Sequence, residues 1–227
     1  MPRQDAIKRD NPRRDLLISY LTLRKAVGLL GMLLPLILTL GMFLLSDCNT
    51  FQDSISDYYY TRMGHVLVGV LCAVGLFLFT YKGYEKRDEV ASKLGCLFAL
   101  GVAFFPTYGP DASRPCNFLH RNSSPTTSII HGFSATLLFL TFAYFSLVLF
   151  VKTSGHPTRK KLKRNKIYRA CGYIILGCIL LIFLYSVVPM LHSIFERYKP
   201  IYIFETIALW AFGFSWITKG EFILKDR

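Results

Sequence analysis

The sequence predicts an all-α membrane protein, a polytopic bundle of six transmembrane helices in one domain. Three observations favour this class: 52% of the 227 residues are hydrophobic, only 18% are charged, and the apolar residues fall into six runs. A soluble domain of this length would expose more charge. A disordered chain would be poor in aromatic residues, which make up 15% of this one.

Each span needs roughly 20 apolar residues to cross about 30 Å of hydrocarbon. The third run is short and contains Pro106, which favours a kinked helix or one completed by interfacial residues. The runs predict a cytoplasmic basic tail (1–25), a transmembrane domain (26–218) and a cytoplasmic C-terminal tail (219–227). The predicted spans are 26–46, 63–81, 94–108, 128–151, 167–188 and 201–218.

Basic residues lie almost entirely on one side of these spans. That side holds 22 of the 27 Lys and Arg residues, and the other side holds five. The positive-inside rule therefore predicts a multi-pass protein of the cell membrane with both termini in the cytoplasm. The excess charge would face anionic lipid headgroups, so the basic run 159–164 is interpreted as a topology feature and not as a nucleic-acid site. We expect no signal peptide. We also expect residues 15–23 to lie on the membrane surface as a short amphipathic lead-in to the first span.

The six spans pair into three sequential helical hairpins with similar beginnings and ends. The similarity indicates either a weak internal repeat or only the basic residues that commonly flank membrane helices. Small residues at the start of each ascending helix would let helix backbones approach closely in lipid. These residues are Gly28, Gly31, Gly95, Gly101, Gly172 and Gly177.

Each descending helix carries one ionisable residue near its outer end, namely His65, His131 or Glu205. Ionisable residues within a membrane usually face the bundle interior or a wet cavity. We therefore expect these three to share an outward-facing polar pocket, and the alternative is three interfacial residues with local hydrogen bonds. Further candidates for the pocket are Asp57, Ser54, Ser56 and Ser134. The tyrosines at positions 58–60 are typical of an interfacial aromatic belt.

Three chemistries could use this set. Two histidines and a carboxylate (His65, His131 and Glu205) are ligand types of a zinc or iron site. A serine nucleophile with a histidine base would use Ser54, Ser56 or Ser134, although no nucleophile-elbow motif is present. A pocket for a lipid headgroup or solute would use the same groups as hydrogen-bond partners. We expect no bound cofactor, with zinc as the alternative.

The cysteines divide by depth. Cys48 and Cys116 lie in the two longer outer loops and are candidates for a disulfide in an oxidising compartment. The remaining four cysteines fall within spans, where thiols behave as small apolar packing groups.

The chain resembles small bacterial six-span proteins of unknown function that are similar to the Frag1/DRAM/Sfk1 group. The resemblance rests on the basic tail, on Ser54-Ile55-Ser56 before the second span, on residues 104–107 (FFPT) and on the closing stretch 210–220. It implies a role in membrane lipid remodelling or lipid asymmetry, without a settled catalytic site. A looser similarity is to the seven-span hydrolases that include alkaline ceramidase, but this chain lacks their seventh span and its paired histidines.

The sequence therefore favours a non-enzymatic, lipid-associated membrane protein, with binding or membrane-lipid homeostasis as its role. The alternative is a metal-dependent membrane lipid hydrolase, and the third interpretation is a small-solute transporter. The expected partners are membrane lipids, with anionic headgroups on the cytoplasmic side, and no nucleic acid.

Overall fold

The computed structural model describes residues 12–45, 50–83, 85–107, 124–153 and 155–224. Three short turns accompany its α-helices: a 3₁₀ turn (Ser56–Tyr60) before α2, a π-helical turn (Phe145–Leu149) after α4 and a 3₁₀ turn (Glu196–Tyr198) after α6. The α-helices in these ranges are α1 (Pro12–Leu45), α2 (Gly64–Thr80), α3 (Lys86–Phe104), α4 (Pro125–Tyr144), α5 (Arg159–Val187), α6 (Pro189–Phe195) and α7 (Pro200–Lys219).

Four helical stretches are long and apolar enough to cross a membrane. They are Tyr20–Leu45, Pro125–Leu149, Arg159–Val187 and Pro200–Lys219. They confirm the prediction of a helical transmembrane protein. The helix α2 is apolar but has only 17 residues, and α3 begins with two turns that are mostly polar or charged. Six spans are therefore not confirmed.

The six long helices form a closed ring. Helix α1 packs on α2, α2 on α3, α3 on α4, α4 on α5, α5 on α7, and α7 packs back on α1. We call the end of the ring that holds Ser56 and His131 the histidine end. The end that holds Arg24 and Lys152 is the basic end.

Aromatic rings fill the centre of the ring near its basic end. Trp216 of α7 is fully buried. The centroids of five other rings lie 5.2–5.8 Å from its own, mostly in edge or tilted arrangements that suit aromatic quadrupoles. These rings belong to Phe77, Tyr81, Phe145, Phe150 and Phe212.

The outside of the ring is apolar, as expected of helices that face lipid. Leu44 of α1 is 79% exposed and Ile129 of α4 is 72% exposed. Since large apolar side chains cover both the centre and the outer surface, hydropathy alone does not distinguish the inner faces of these helices.

Three helices begin well before their predicted spans. Helix α1 includes residues 15–23, so the predicted surface lead-in is continuous with the first span. Helices α3 and α5 begin at Lys86 and Arg159, eight residues before their predicted spans. Lys and Arg are good helix formers, so each helix continues beyond its apolar stretch.

Prolines set the ends of α3 and α5. Pro189 has no backbone N–H to continue α5, and it occupies the first position of the unpredicted short helix α6. Helix α3 ends at Phe104, two residues before Pro106, because the residue preceding a proline disfavours the α conformation.

Glycine allows the backbones of α1 and α7 to touch. A Cβ atom placed on Gly28 would lie 2.7 Å from the carbonyl oxygen of Gly213. One placed on Gly213 would lie 2.5 Å from the carbonyl oxygen of Gly28. The predicted close approach at Gly28 is thus confirmed. A Cβ on Gly177 of α5 would meet no described atom within 4 Å, so this glycine does not have the predicted role.

Helix α4 ends in a π-helical turn. The Phe150 N–H donates to the Phe145 carbonyl, five residues back, at 2.8 Å. One extra residue is accommodated in this way without breaking the helix. Within the turn, the fully buried Ser146 hydroxyl donates to the buried Ser215 hydroxyl of α7 at 3.0 Å, which joins α4 to α7 across the ring.

Candidate functional site

The segment of residues 54–61, here called the turn segment, is held by its own side chains. Ser54 Oγ accepts a hydrogen bond from the Asp57 N–H at 3.1 Å. Thr61 Oγ1 donates to the Tyr58 carbonyl at 2.7 Å and accepts from the Met63 N–H at 3.1 Å. Short polar side chains favour such local bonds over regular helix, so the chain turns here before α2 begins.

His131 of α4 contacts both the turn segment and the end of α3. Its side chain is buried, with Nδ1 2.7 Å from the Phe105 carbonyl oxygen and Nε2 2.8 Å from Ser56 Oγ. A carbonyl oxygen can only accept, so Nδ1 carries the proton and donates to Phe105. In neutral His131, Nε2 is then the acceptor and the Ser56 hydroxyl is the donor.

Glu205 of α7 binds the neighbouring residue of the same segment. Its Oε2 accepts the Ile55 N–H at 2.7 Å. The consecutive residues Ile55 and Ser56 therefore connect α7 to α4. This hydrogen bond to a backbone N–H gives the Glu205 carboxyl group a defined orientation.

A second set of hydrogen bonds joins α1, α7 and the turn segment. Thr39 Oγ1 lies 3.1 Å from the Tyr58 hydroxyl and 2.6 Å from the Tyr202 hydroxyl. The Tyr202 N–H donates to the Asp53 carbonyl at 3.1 Å, and the Asp53 carboxylate pairs with Lys199. Sequence reasoning missed Thr39 and Tyr202, because a hydroxyl in an apolar helix has no distinctive pattern.

Two of the three consecutive tyrosines are core residues. Tyr58 and Tyr60 are 0% and 1% exposed, and the Tyr60 hydroxyl donates to the Thr107 carbonyl. The predicted interfacial belt is therefore wrong for Tyr58 and Tyr60. Their hydroxyls have protein partners, which is what allows tyrosine to be buried.

A cavity of about 60 Å³ lies beside the turn segment, between α1, α2, α4 and α7. We call it the histidine-end cavity. Its walls are mainly apolar and extend from Leu67 and Leu209 to Val74 and Phe142 in the middle of the ring. Ser56 and Glu205 are the polar residues that line it in the described part of the chain. The arrangement can hold an apolar group with hydrogen-bonding groups at one side.

The structure brings together some of the predicted site residues and separates others. Ser56, His131 and Glu205 are connected through the turn segment, with Ser54 and Asp57 in the same segment. His65 is exposed on the outside of α2, contrary to the predicted inward orientation. Ser134 is buried against Gly101 at the contact of α3 with α4, and it does not line the cavity.

The predicted metal ligands do not assemble. Within the described ranges, no three or more His, Cys, Asp or Glu side chains form a group that could hold a metal ion, and His65 is exposed whereas His131 is buried. Cys48 and Cys116 lie outside the described residues. Cys96, Cys171 and Cys178 are buried as free thiols within helices, whereas Cys72 is half-buried, as expected of packing groups.

No protein-family model, no curated protein and no solved structure matches this chain. The resemblance to the Frag1/DRAM/Sfk1 group stays a prediction.

Proposed function

We propose that this protein is a lipid-associated integral membrane protein that holds part of a membrane lipid at its histidine end. The histidine-end cavity carries the proposal, because its apolar walls meet Ser56 and Glu205 at one side. Binding sites typically combine apolar walls with a few polar groups that fix the orientation of the ligand. The hydrocarbon would lie along the walls, and the polar part of the lipid would contact Ser56 and Glu205.

The size of the cavity limits what enters it. A cavity of about 150 Å³ holds a benzene ring. At about 60 Å³, the histidine-end cavity takes a few methylene groups next to the polar part of the lipid. The rest of the lipid would remain in the membrane.

In this proposal all six long helices span the cell membrane, with the basic end and both termini in the cytoplasm. The 17 residues of α2 cover about 26 Å at 1.5 Å per residue, close to the roughly 30 Å of a hydrocarbon core. Closure of the ring supports α2 and α3 as spans, since each packs on a neighbour that is long enough to cross. The 22 basic residues on one side support the orientation.

A second candidate function is hydrolysis of a lipid ester without a metal, and the contact of Ser56 with His131 favours it. A serine hydroxyl that donates to a histidine held in one tautomer is the pairing that activates a nucleophile. Ser56 Oγ would attack the ester carbon while His131 Nε2 takes its proton. The proton would then pass to the departing alcohol, and water would release the acyl group from Ser56.

Lipid retention tests the first function. The full chain is purified in micelles, and the lipid that remains bound is measured by native mass spectrometry. Ala135→Phe places a ring in the cavity wall and should lower retention about tenfold. Glu205→Gln keeps the side-chain shape and should also lower retention.

The matched control is Ile129→Phe, which adds a ring to the exposed face of the same helix and should leave retention unchanged. Equal retention by the wild type, Ala135→Phe and Glu205→Gln contradicts the proposal.

Ester hydrolysis tests the second function, with a p-nitrophenyl acyl ester in mixed micelles as the probe. Ser56→Ala and His131→Asn should each lower turnover by about 100-fold or more. Ser193→Ala removes an exposed hydroxyl of α6 and should have no effect. A wild-type chain without turnover contradicts hydrolysis and leaves the lipid-binding proposal intact.

A further inference from the structure

A larger cavity, of about 710 Å³, lies at the basic end of the ring. We call it the basic-end cavity. Its wall is built by α1, the stretch after α4, the first turns of α5 and the end of α7. The carboxylates of Glu85 and Glu221 line it together with several basic side chains. These basic residues are Arg24, Lys152, His156, Lys161, Arg164 and Lys219.

The two carboxylates of the wall already have cationic neighbours. Lys152 Nζ lies 3.4 Å from Glu85 and 2.7 Å from Asp88, a carboxylate buried beside the cavity. Arg164 Nη1 lies 3.8 Å from Glu221. Among the described residues, the five Lys and Arg side chains of the wall outnumber these three acids, which gives the wall a positive excess.

Arg24 is the clearest sign of this excess. It is only 9% exposed, and its guanidinium carbon lies 4.2 Å from the centroid of the Tyr20 ring and 5.5 Å from that of Tyr81. Its Nη2 donates to the Tyr81 hydroxyl at 3.4 Å. Its buried Nε has no hydrogen-bond partner among the described residues. A buried cation is costly unless an anion balances it, so the site favours an anionic ligand.

Cations of α5 and α7 converge opposite Arg24. Lys161 Nζ donates to the Phe150 carbonyl at 2.7 Å, and Lys219 Nζ lies 5.5 Å from the centroid of the Phe150 ring. Helix α5 also begins at this wall, where Thr158 caps it by accepting the Lys161 N–H at 3.1 Å. The positive end of the helix dipole adds to the potential of the side chains.

We propose that the basic-end cavity binds a multiply charged phosphate group, held by Arg24, Lys161 and Lys219 from three different helices. Guanidinium and ammonium groups are the side chains that hold phosphate oxygens. The volume of about 710 Å³ exceeds that of a single phosphate, so it fits two phosphates or a phosphate on a polyol. The source is a phospholipid headgroup, as in basic pockets between membrane helices, or a soluble phosphate compound. This inference is independent of the function proposed for the histidine end.

Pyrophosphate is the soluble probe of this site. The full chain in phosphatidylcholine nanodiscs is titrated with pyrophosphate by calorimetry, with sodium chloride at matched ionic strength as the reference. We expect saturable binding that is about tenfold weaker or more in Lys219→Gln and in Arg24→Gln. Lys166→Gln removes the same charge from the exposed surface of α5 and should leave binding unchanged. Lys219→Gln keeps the test valid if Arg24→Gln does not fold.

Nanodiscs that contain phosphatidic acid separate the two sources of phosphate. If the lipid headgroup fills the cavity, pyrophosphate binds the wild type more weakly in these nanodiscs than in phosphatidylcholine nanodiscs. The residual binding of pyrophosphate to Lys219→Gln should then be the same in both kinds of nanodisc. Unchanged pyrophosphate binding assigns the cavity to a soluble compound. The proposal is overturned if neither pyrophosphate nor phosphatidic acid binds saturably, or if Lys166→Gln weakens binding as much as Lys219→Gln.

Discussion

His131 Nε2 lies 2.8 Å from Ser56 Oγ, although 75 positions of the chain separate the two residues. The next residue back, Ile55, donates its N–H to Glu205 of α7. Two consecutive residues thus bind two helices that stand on different parts of the ring. The turn segment thereby joins α4 and α7 at the histidine end through hydrogen bonds.

The His131–Ser56 contact should be measurable in a double-mutant cycle. Ser56→Ala should destabilise the chain by about 1–2 kcal/mol, and His131→Phe by about 2–4 kcal/mol because it also strands the Phe105 carbonyl. The free energy of unfolding of the double variant should fall by about 1 kcal/mol less than the sum of the two single losses. The reason is that the first substitution has already broken the hydrogen bond that the second would break. Denaturant unfolding in micelles provides the measurement. Additive losses would mean that the two side chains do not interact.

The contact of α1 with α7 should tolerate no side chain at Gly28. Gly28→Ala forces apart two backbones and should destabilise the chain by about 1–3 kcal/mol. Gly177→Ala is the matched control, because its Cβ meets no described atom within 4 Å. It should be neutral or should stabilise the helix by up to about 1 kcal/mol. Thermal unfolding of both variants tests the prediction, and an equal effect on both would contradict it.

The Asp88–Lys152 pair should make stability depend on alkaline pH. The hydrogen bond to Asp88 raises the pKa of Lys152 above its ordinary value of 10.5. A raised folded-state pKa contributes stability that is complete below the unfolded pKa and lost as the pH rises through the folded pKa. When unfolding is followed from pH 9 to 12, the free energy of unfolding of the wild type should therefore fall above pH 10.5. The fall should be smaller in Asp88→Asn. Parallel curves for the two chains would contradict this linkage.

The proposed orientation predicts where reporters are active. A reporter that works only in the cytoplasm should be active when fused after Arg227 and inactive when inserted near Asn117. The physical reason is the retention of basic loops on the cytoplasmic side. The reverse pattern would place the histidine end in the cytoplasm and would exclude an outer-leaflet lipid as its ligand.

The disulfide prediction for Cys48 and Cys116 remains to be measured. A bond requires the two Cα atoms to lie within about 7 Å. We expect both thiols to resist labelling in untreated membranes and to react after reduction. Labelling of both residues without a reductant would contradict the bond.

The helical membrane fold was predictable because lipid requires long apolar helices, and long apolar runs are plain in a sequence. The helix ends were less predictable. Hydropathy marks where hydrocarbon ends and not where helical hydrogen bonding ends, so the basic first turns of α3 and α5 were missed. The π-helical turn at Phe145–Leu149 does not alter the pattern of apolar residues, and α6 is too short to show a recognisable pattern.

The candidate site was predictable in residue type but not in geometry. His131 and Glu205 stood out because ionisable groups are rare at membrane depth, and Ser56 stood out as part of the polar segment before the second predicted span. His65 is also polar and lies near the start of its predicted span, yet it is exposed. Helix α2 is apolar on all sides, so its sequence does not fix its rotation. The bond of Glu205 to a backbone N–H was also hidden, since every residue except proline carries that donor.

The π-helical turn at the end of α4 also affects how the length of this chain can change. A π turn is a helix that has absorbed one residue, so removal of one residue among positions 145–149 would restore ordinary α-helical bonding there. The helix before the turn would keep His131 against Ser56, and the chain after it would keep Lys152 against Asp88. A deletion elsewhere in α4 would rotate one of these residues by about 100° around the helix axis. The turn therefore marks the point where this membrane helix can lose a residue while both ends of the ring keep their contacts.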